Sequence, residues 1–144
     1  MLTQRAYRDF YRACLHEAAH TKVAHRLGYP GTHFRIWRTG GDDRSGVFFS
    51  GRTYVFDETS DEDARLICLA GAVAELLMDD CEPRAATLHQ RLGRTDSALS
   101  PSDAAGATGF SQADTRRVLE LVCRCWFEIE AEVNAMLDEL QGPL

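Results

Sequence analysis

The sequence predicts a single α+β domain, mostly helical, over residues 1–144. Three stretches carry apolar residues at the three-four spacing of helices buried on one side. One stretch, His33–Phe56, is instead rich in β-branched and aromatic residues and broken by glycines. No internal repeat or low-complexity tract marks a second unit, and 144 residues are enough to build a hydrophobic core unaided.

In chain order, Thr3 stands where it caps a first helix that runs to Leu27, with Gly28 as its stop and Pro30 just beyond. Ala13, His16, His20, Val23 and Leu27 fall on one face of it. His33–Thr39 and Val47–Phe49 then read as strands around a glycine-bearing tip, Gly40–Gly46, taken as a solvated turn. Gly51 interrupts, and Thr53–Phe56 is a further short β-like run. A hairpin or small sheet of this size is unstable alone and must pack on the helices.

Ser60 followed by Asp63 resembles a capping box and opens a helix to about Met78. Leu66, Ile67, Ala70, Val73, Ala74 and Leu77 make that helix broadly apolar, hence central. Gly71 inside it costs about 1 kcal/mol relative to Ala, which close approach of another helix would explain. Asp80 to Pro101 reads as a less regular connection with a short helix around Arg84–Leu92, and Ser102–Thr108 as one or two helical turns. Ser111 with Asp114 caps a long last helix to about Leu140. Its stripe of Val118, Val122, Cys125, Ile129, Val133, Met136 and Leu140, with Trp126 alongside, reads as core.

Composition narrows the function. A formal charge of −6 with scattered arginines argues against a nucleic-acid footprint, which needs a clustered basic face. Met1–Phe10 has no apolar signal core, and no run reaches the 18 or so apolar residues of a membrane span, so a cytoplasmic protein is expected. The five cysteines, Cys14, Cys68, Cys81, Cys123 and Cys125, are odd in number and mostly lie in helical patterns, which favours reduced, buried thiols. Cys123 and Cys125 are two apart and point in different directions on a helix, a poor metal clamp.

His16-Glu17-Ala18-Ala19-His20 is an H-E-x-x-H sequence inside the first helix. Four residues span about 400° of helix rotation, so both imidazoles project from one face and can meet one ion. Glu17 lies beside that face, where its carboxylate can act as base toward a water that zinc has made acidic. A catalytic zinc site normally takes a third protein ligand. Six positions after His20 stands Arg26, which excludes the metzincin pattern, and His25 points away from the His16–His20 face. Glu75, Asp79, Asp80, His89, Asp103 and Asp114 are the candidates, and spacing alone does not choose among them.

The chain resembles the peptidase domain of the FtsH-type AAA proteases in three stretches between Ala13 and Thr108. His16–Ala24 is similar to that family's H-E-A-G-H-A-x-x-A, and Leu69–Leu77 to its L-G-G-R-x-A-E-E-x. Ser102–Thr108 resembles its N-D-L-x-x-A-T, in which the Asp is the third zinc ligand. The resemblance implies Zn2+ held by His16, His20 and Asp103, with Glu17 as the catalytic base and Glu75 as a carboxylate orienting a zinc-bound His. The alternative for Glu75 is a helix-buried carboxylate paired with an arginine. The departures are Ala72 for the family's Arg, Ser102 for its Asn, and Gly106, which weakens the helix carrying Asp103. No Walker motif stands in the chain, so the resemblance implies the peptidase part without its motor.

The expected function is therefore a zinc metalloendopeptidase acting on peptides or unfolded protein segments. A strand in the Arg35–Phe56 region would pair with an extended substrate. The alternative is a zinc-binding interaction or regulatory domain derived from such a peptidase, without turnover. No oligomeric state is readable from the sequence.

Overall fold

The computed structural model describes residues 2–41, 44, 48–79, 84–94 and 99–140. Within them the order is α1 (Gln4–Arg26), β1 (His33–Arg38), β2 (Phe49–Tyr54), α2 (Asp61–Asp79), α3 (Ala85–Leu92), α4 (Pro101–Gly106), α5 (Gln112–Arg124) and α6 (Trp126–Leu140). This is the mostly helical α+β domain that the patterning predicts. The tip 40–46 falls largely outside the described residues, as do Asp80 and Cys81.

α1 begins and ends where its punctuation says. The Thr3 hydroxyl accepts the Ala6 N–H at 3.1 Å, filling one of the vacant bonds of the first turn. Leu27 closes the helix, and Gly28 follows with φ +100°, a conformation other residues rarely adopt. The stretch from Ala13 to Thr21 is buried without a break, because α1 is covered from several sides. α2 runs along it, α6 packs on another flank, and the sheet lies on a third. The core thus sits between α1, α2, α5 and α6, and Leu15, Val23, Leu66, Leu69, Val73, Val118, Val122, Ile129 and Val133 have no exposed surface.

The sheet differs from expectation at one point. β1 and β2 pair antiparallel with Ile36 opposite Gly51, and β2 runs through that glycine instead of stopping there. A Cβ at position 51 would stand 2.5 Å from Ile36 Cδ1 and 2.6 Å from Glu17 Cγ. The glycine is a place where strand and helix close together, not a break. Asp9 fastens the start of β2 to α1: its Oδ2 accepts the N–H groups of Phe48 and Phe49 at 2.7 and 2.8 Å.

The long last helix is two helices. α5 ends at Cys125 (φ −90°, ψ 0°), and α6 starts at Trp126. α5 packs mainly on α2 and α3, whereas α6 packs on α1, so the main partner changes across the joint. The buried positions 115, 118, 122, 125, 129, 133 and 137 keep the helical rhythm across the joint, which is why the pattern hides it. Ser111 and Asp114 form the capping box as expected. Among the cysteines, Cys14 and Cys125 are buried and Cys68 half-buried; Cys123 is exposed, against expectation, because it lies off the buried stripe.

Candidate metal centre

His16 and His20 sit one turn apart in the buried middle of α1, their ring centroids 4.7 Å apart and the planes at 78°. Each ring has one nitrogen committed to the protein. His20 Nδ1 lies 2.5 Å from the carbonyl oxygen of Ile67 on α2. A carbonyl only accepts, so Nδ1 carries the hydrogen and Nε2 is the nitrogen left to bind. His16 Nδ1 donates to Glu75 Oε2 at 2.8 Å, which turns its Nε2 the same way.

Both Nε2 atoms meet one oxygen. Asp103 Oδ2 lies 3.1 Å from His16 Nε2 and 3.3 Å from His20 Nε2. Asp103 reaches this point because Ser100 caps α4: its hydroxyl accepts the Asp103 N–H at 3.1 Å, and Pro101 opens the first turn. The helix therefore begins at Pro101, slightly earlier than the Ser102 the sequence suggests. Gly106 lets α4 settle against Cys68 of α2, where a Cβ would collide with the sulfur. The residue that weakens the helix is the one that docks it.

His16, His20 and Asp103 are close enough to hold one metal ion, with a ligand atom of each within 4.8 Å of the others. Tetrahedral donors at the usual 2.0–2.2 Å from a zinc-sized ion lie about 3.3 Å from one another. The two contacts to Asp103 match that spacing. The donor set of two imidazoles and a carboxylate suits zinc and also iron, manganese or cobalt.

The electrostatics fit the same purpose. Burial lowers the pKa of His16, but hydrogen bonds to Asp103 and Glu75 and the charges of Glu75 and Glu17 outweigh it, holding it at about 9. Burial raises that of Asp103, and the hydrogen bonds from His16 and His20 overcome this, leaving the carboxylate well below its usual range. Carboxylates thus lie around the ring of His16, and a cation can take the place of the proton it shares with Asp103.

Gly71 explains how α2 comes so near. A Cβ there would stand 2.5–2.7 Å from Nε2, Cδ2 and Cε1 of His16. The ring lies flush on the α2 backbone, so the close approach expected at this glycine is to an imidazole.

Glu17 is 9% exposed and faces the same cavity, of about 510 Å³, that His16, His20 and Asp103 line. Thr53 of β2 donates to Glu17 Oε2 at 2.6 Å and fixes the carboxylate's direction. Residues 49–53 of β2 form one wall of the cavity, with Arg12, Ile67, Cys68 and Glu75 around the rest. Glu75 has two partners: His16 Nδ1 at Oε2, and the Arg12 guanidinium 3.5 Å from Oε1.

The other candidates among the described residues lie elsewhere. His89 Nδ1 pairs with Thr115 Oγ1 at 3.0 Å, Asp114 serves the α5 cap and Arg65, and Asp79 is exposed at the end of α2. His25 bonds the Thr32 carbonyl at 2.7 Å, away from the cavity. Thr53, Arg12, Asp9 and the Ile67 carbonyl escape sequence reasoning, since each acts through a partner distant in the chain. No protein-family model and no curated protein matches this chain.

Proposed function

We propose that this chain is a zinc-dependent metalloendopeptidase that hydrolyses peptide bonds in peptides or unstructured segments. His16, His20 and Asp103 are the ligands and Glu17 the general base. The observation that carries the reading is the meeting of His16 Nε2 and His20 Nε2 on Asp103 Oδ2, with Glu17 on the same cavity. The three stretches that resemble FtsH-type peptidases fall on α1, α2 and α4, the helices that bring these side chains together.

Zinc held there supplies a Lewis acid that acidifies water and polarises a carbonyl. Glu17 accepts the proton of the attacking water and returns it to the departing amine. Thr53 keeps the carboxylate aimed into the cavity by its bond to Oε2. Glu75, taking the Nδ1 hydrogen of His16, keeps the opposite nitrogen free for the ion.

β2 is the natural seat for an extended substrate. The Thr39 N–H to Phe48 O bond sets the phase of the ladder. In that phase Ser50, Arg52 and Tyr54 turn their main-chain groups toward β1, and Gly51 and Thr53 turn theirs away. A peptide paired on that edge gains backbone hydrogen bonds independent of its side chains. Among the described residues no helix is long and apolar enough to cross a membrane.

The test is metal analysis joined to turnover. Purified wild type should carry about one zinc per chain, and His20→Ala and Asp103→Ala should lose it. Glu17→Gln should keep the zinc and lose cleavage of a casein-like unfolded substrate. Cleavage by that variant at the wild-type rate would overturn the mechanism. Inactivity of the zinc-loaded wild type across a broad peptide library would leave a metal-binding domain without turnover.

A further inference from the structure

We propose that Asp9, Arg12 and Glu75 form a positioning relay that ties strand β2 to the ring of His16, with Arg12 as its centre. The inference rests on the metal-binding part of the reading above and adds residues that neither the motif nor the ligand set includes.

Asp9, Arg12 and His16 follow one another at spacings of three and four on α1, so they share a face. Arg12 Nε and Nη2 both donate to Asp9 Oδ1, at 3.1 and 2.8 Å. Its third nitrogen, Nη1, lies 3.5 Å from Glu75 Oε1, and Glu75 Oε2 takes the Nδ1 hydrogen of His16 at 2.8 Å. At the other end Asp9 Oδ2 holds the N–H groups of Phe48 and Phe49. An unbroken chain of charge-assisted contacts therefore runs from the entry of β2 to a nitrogen of the metal centre.

An ordinary surface Asp–Arg pair one turn apart contributes little. This one differs because Asp9 is 7% exposed and every oxygen it owns is engaged. Glu75 is likewise shielded, at 14%. Without the guanidinium two shielded carboxylates would lose the cation between them, and Glu75 would be free to leave His16. Three nitrogens in a planar fork reach two carboxylates at once, which a single ammonium does not. Arg12 is not one of the three ligands; it acts through Glu75 on the ring of His16 and through Asp9 on the entry of β2.

Zinc affinity, measured by competition with a chromophoric chelator, reads the first link. Arg12→Gln should weaken it about 10-fold, within the range for loss of a supporting contact, and Arg12→Lys should not restore it. Glu75→Gln should weaken it as well, and the double variant should be no worse than Glu75→Gln alone, because both changes cut the same link. Amide hydrogen exchange at Phe48 and Phe49 reads the second link. Zinc should slow it in the wild type, and Arg12→Gln should abolish the slowing.

Unchanged zinc affinity in a folded Arg12→Gln protein, or additive losses in the double variant, would overturn the relay while leaving the metal site intact. A wild type that binds no zinc would instead sink the reading beneath it, and the relay with it. Should Arg12→Gln fail to fold, the wild-type exchange decides: no slowing on zinc addition overturns the coupling.

Discussion

Replacing Gly71 by Ala adds one methyl group at the point where α2 meets His16. In an ordinary helix interior that change is favourable by about 1 kcal/mol, since Ala costs less backbone entropy. Here the added carbon would stand 2.5 Å from His16 Nε2, 2.6 Å from Cδ2 and 2.7 Å from Cε1. Ordinary carbon contacts lie at about 3.5–4.0 Å, so the ring must retreat by roughly 1 Å. It cannot do so freely, because Glu75 holds one nitrogen and Asp103 meets the other. Overpacking of this kind costs about 1–3 kcal/mol, which offsets or exceeds the helical gain. The metal-free protein should therefore show a small net change in stability, between neutral and about 2 kcal/mol destabilised. Metal binding should suffer more, because ligand distances tolerate about 0.2 Å. We expect zinc affinity to fall at least 10–100-fold, the range for disturbing a ligand's support. Chelator competition and chemical denaturation with and without zinc measure the two effects. A variant that gains about 1 kcal/mol and binds zinc like the wild type would refute the claim that this glycine exists for the imidazole.

Loading zinc at pH 7 should release about one proton, from the His16 that Asp103 and Glu75 keep protonated to about pH 9; calorimetry in buffers of different ionisation enthalpy counts it. Without metal, the same histidine has a folded pKa above its unfolded value near 6.5, so its stabilising contribution is complete below about pH 6.5 and is lost as pH rises toward 9. Asp103, whose folded pKa is lowered, acts in the opposite sense, stabilising above its unfolded value near 4 and fading as pH falls below it. Thermal unfolding of the chelated protein should thus be highest between about pH 4 and 6.5, and a midpoint that climbs from pH 6.5 to 9 would contradict the arrangement. Thr53→Val keeps the shape of the side chain and removes the donor to Glu17; kcat should fall about 10–100-fold, as for a hydrogen bond to a charged group, with zinc content unchanged by metal analysis. Ser111→Ala should cost about 1 kcal/mol through the lost α5 cap, read as a lower denaturant midpoint with no change in zinc affinity.

Local punctuation and periodicity made α1 legible almost to the residue, because Thr3, Gly28 and the buried stripe each act within a turn of where they stand. The same kind of signal marked α2, the α5 cap and the H-E-x-x-H pair. The third position of the centre was not legible from spacing, since Asp103 is 87 residues from His16 and comes into range only through the packing of α4 on α2. Only the resemblance singled it out. The joint at Cys125 was hidden by a stripe that keeps its rhythm through the turn, and the run of β2 through Gly51 by a glycine whose purpose lies on another element. Glu75 illustrates the general difficulty. Its pairing with an arginine and its contact with a histidine looked like rival readings in one dimension, and both hold in three.

α4 has a consequence for how the centre comes apart. Its six residues include none that is buried; its backbone packs on α2, and its Asp103 side chain reaches His16 and His20 of α1. Hydrophobic burial gives this segment little, so the bonds that Asp103 makes contribute much of its attachment. A cation bridging Asp103 to α1 would act as a rivet for that flap. Chelation should then loosen the flap well before the helical body melts, and the first event in losing the ion would be the opening of one wall.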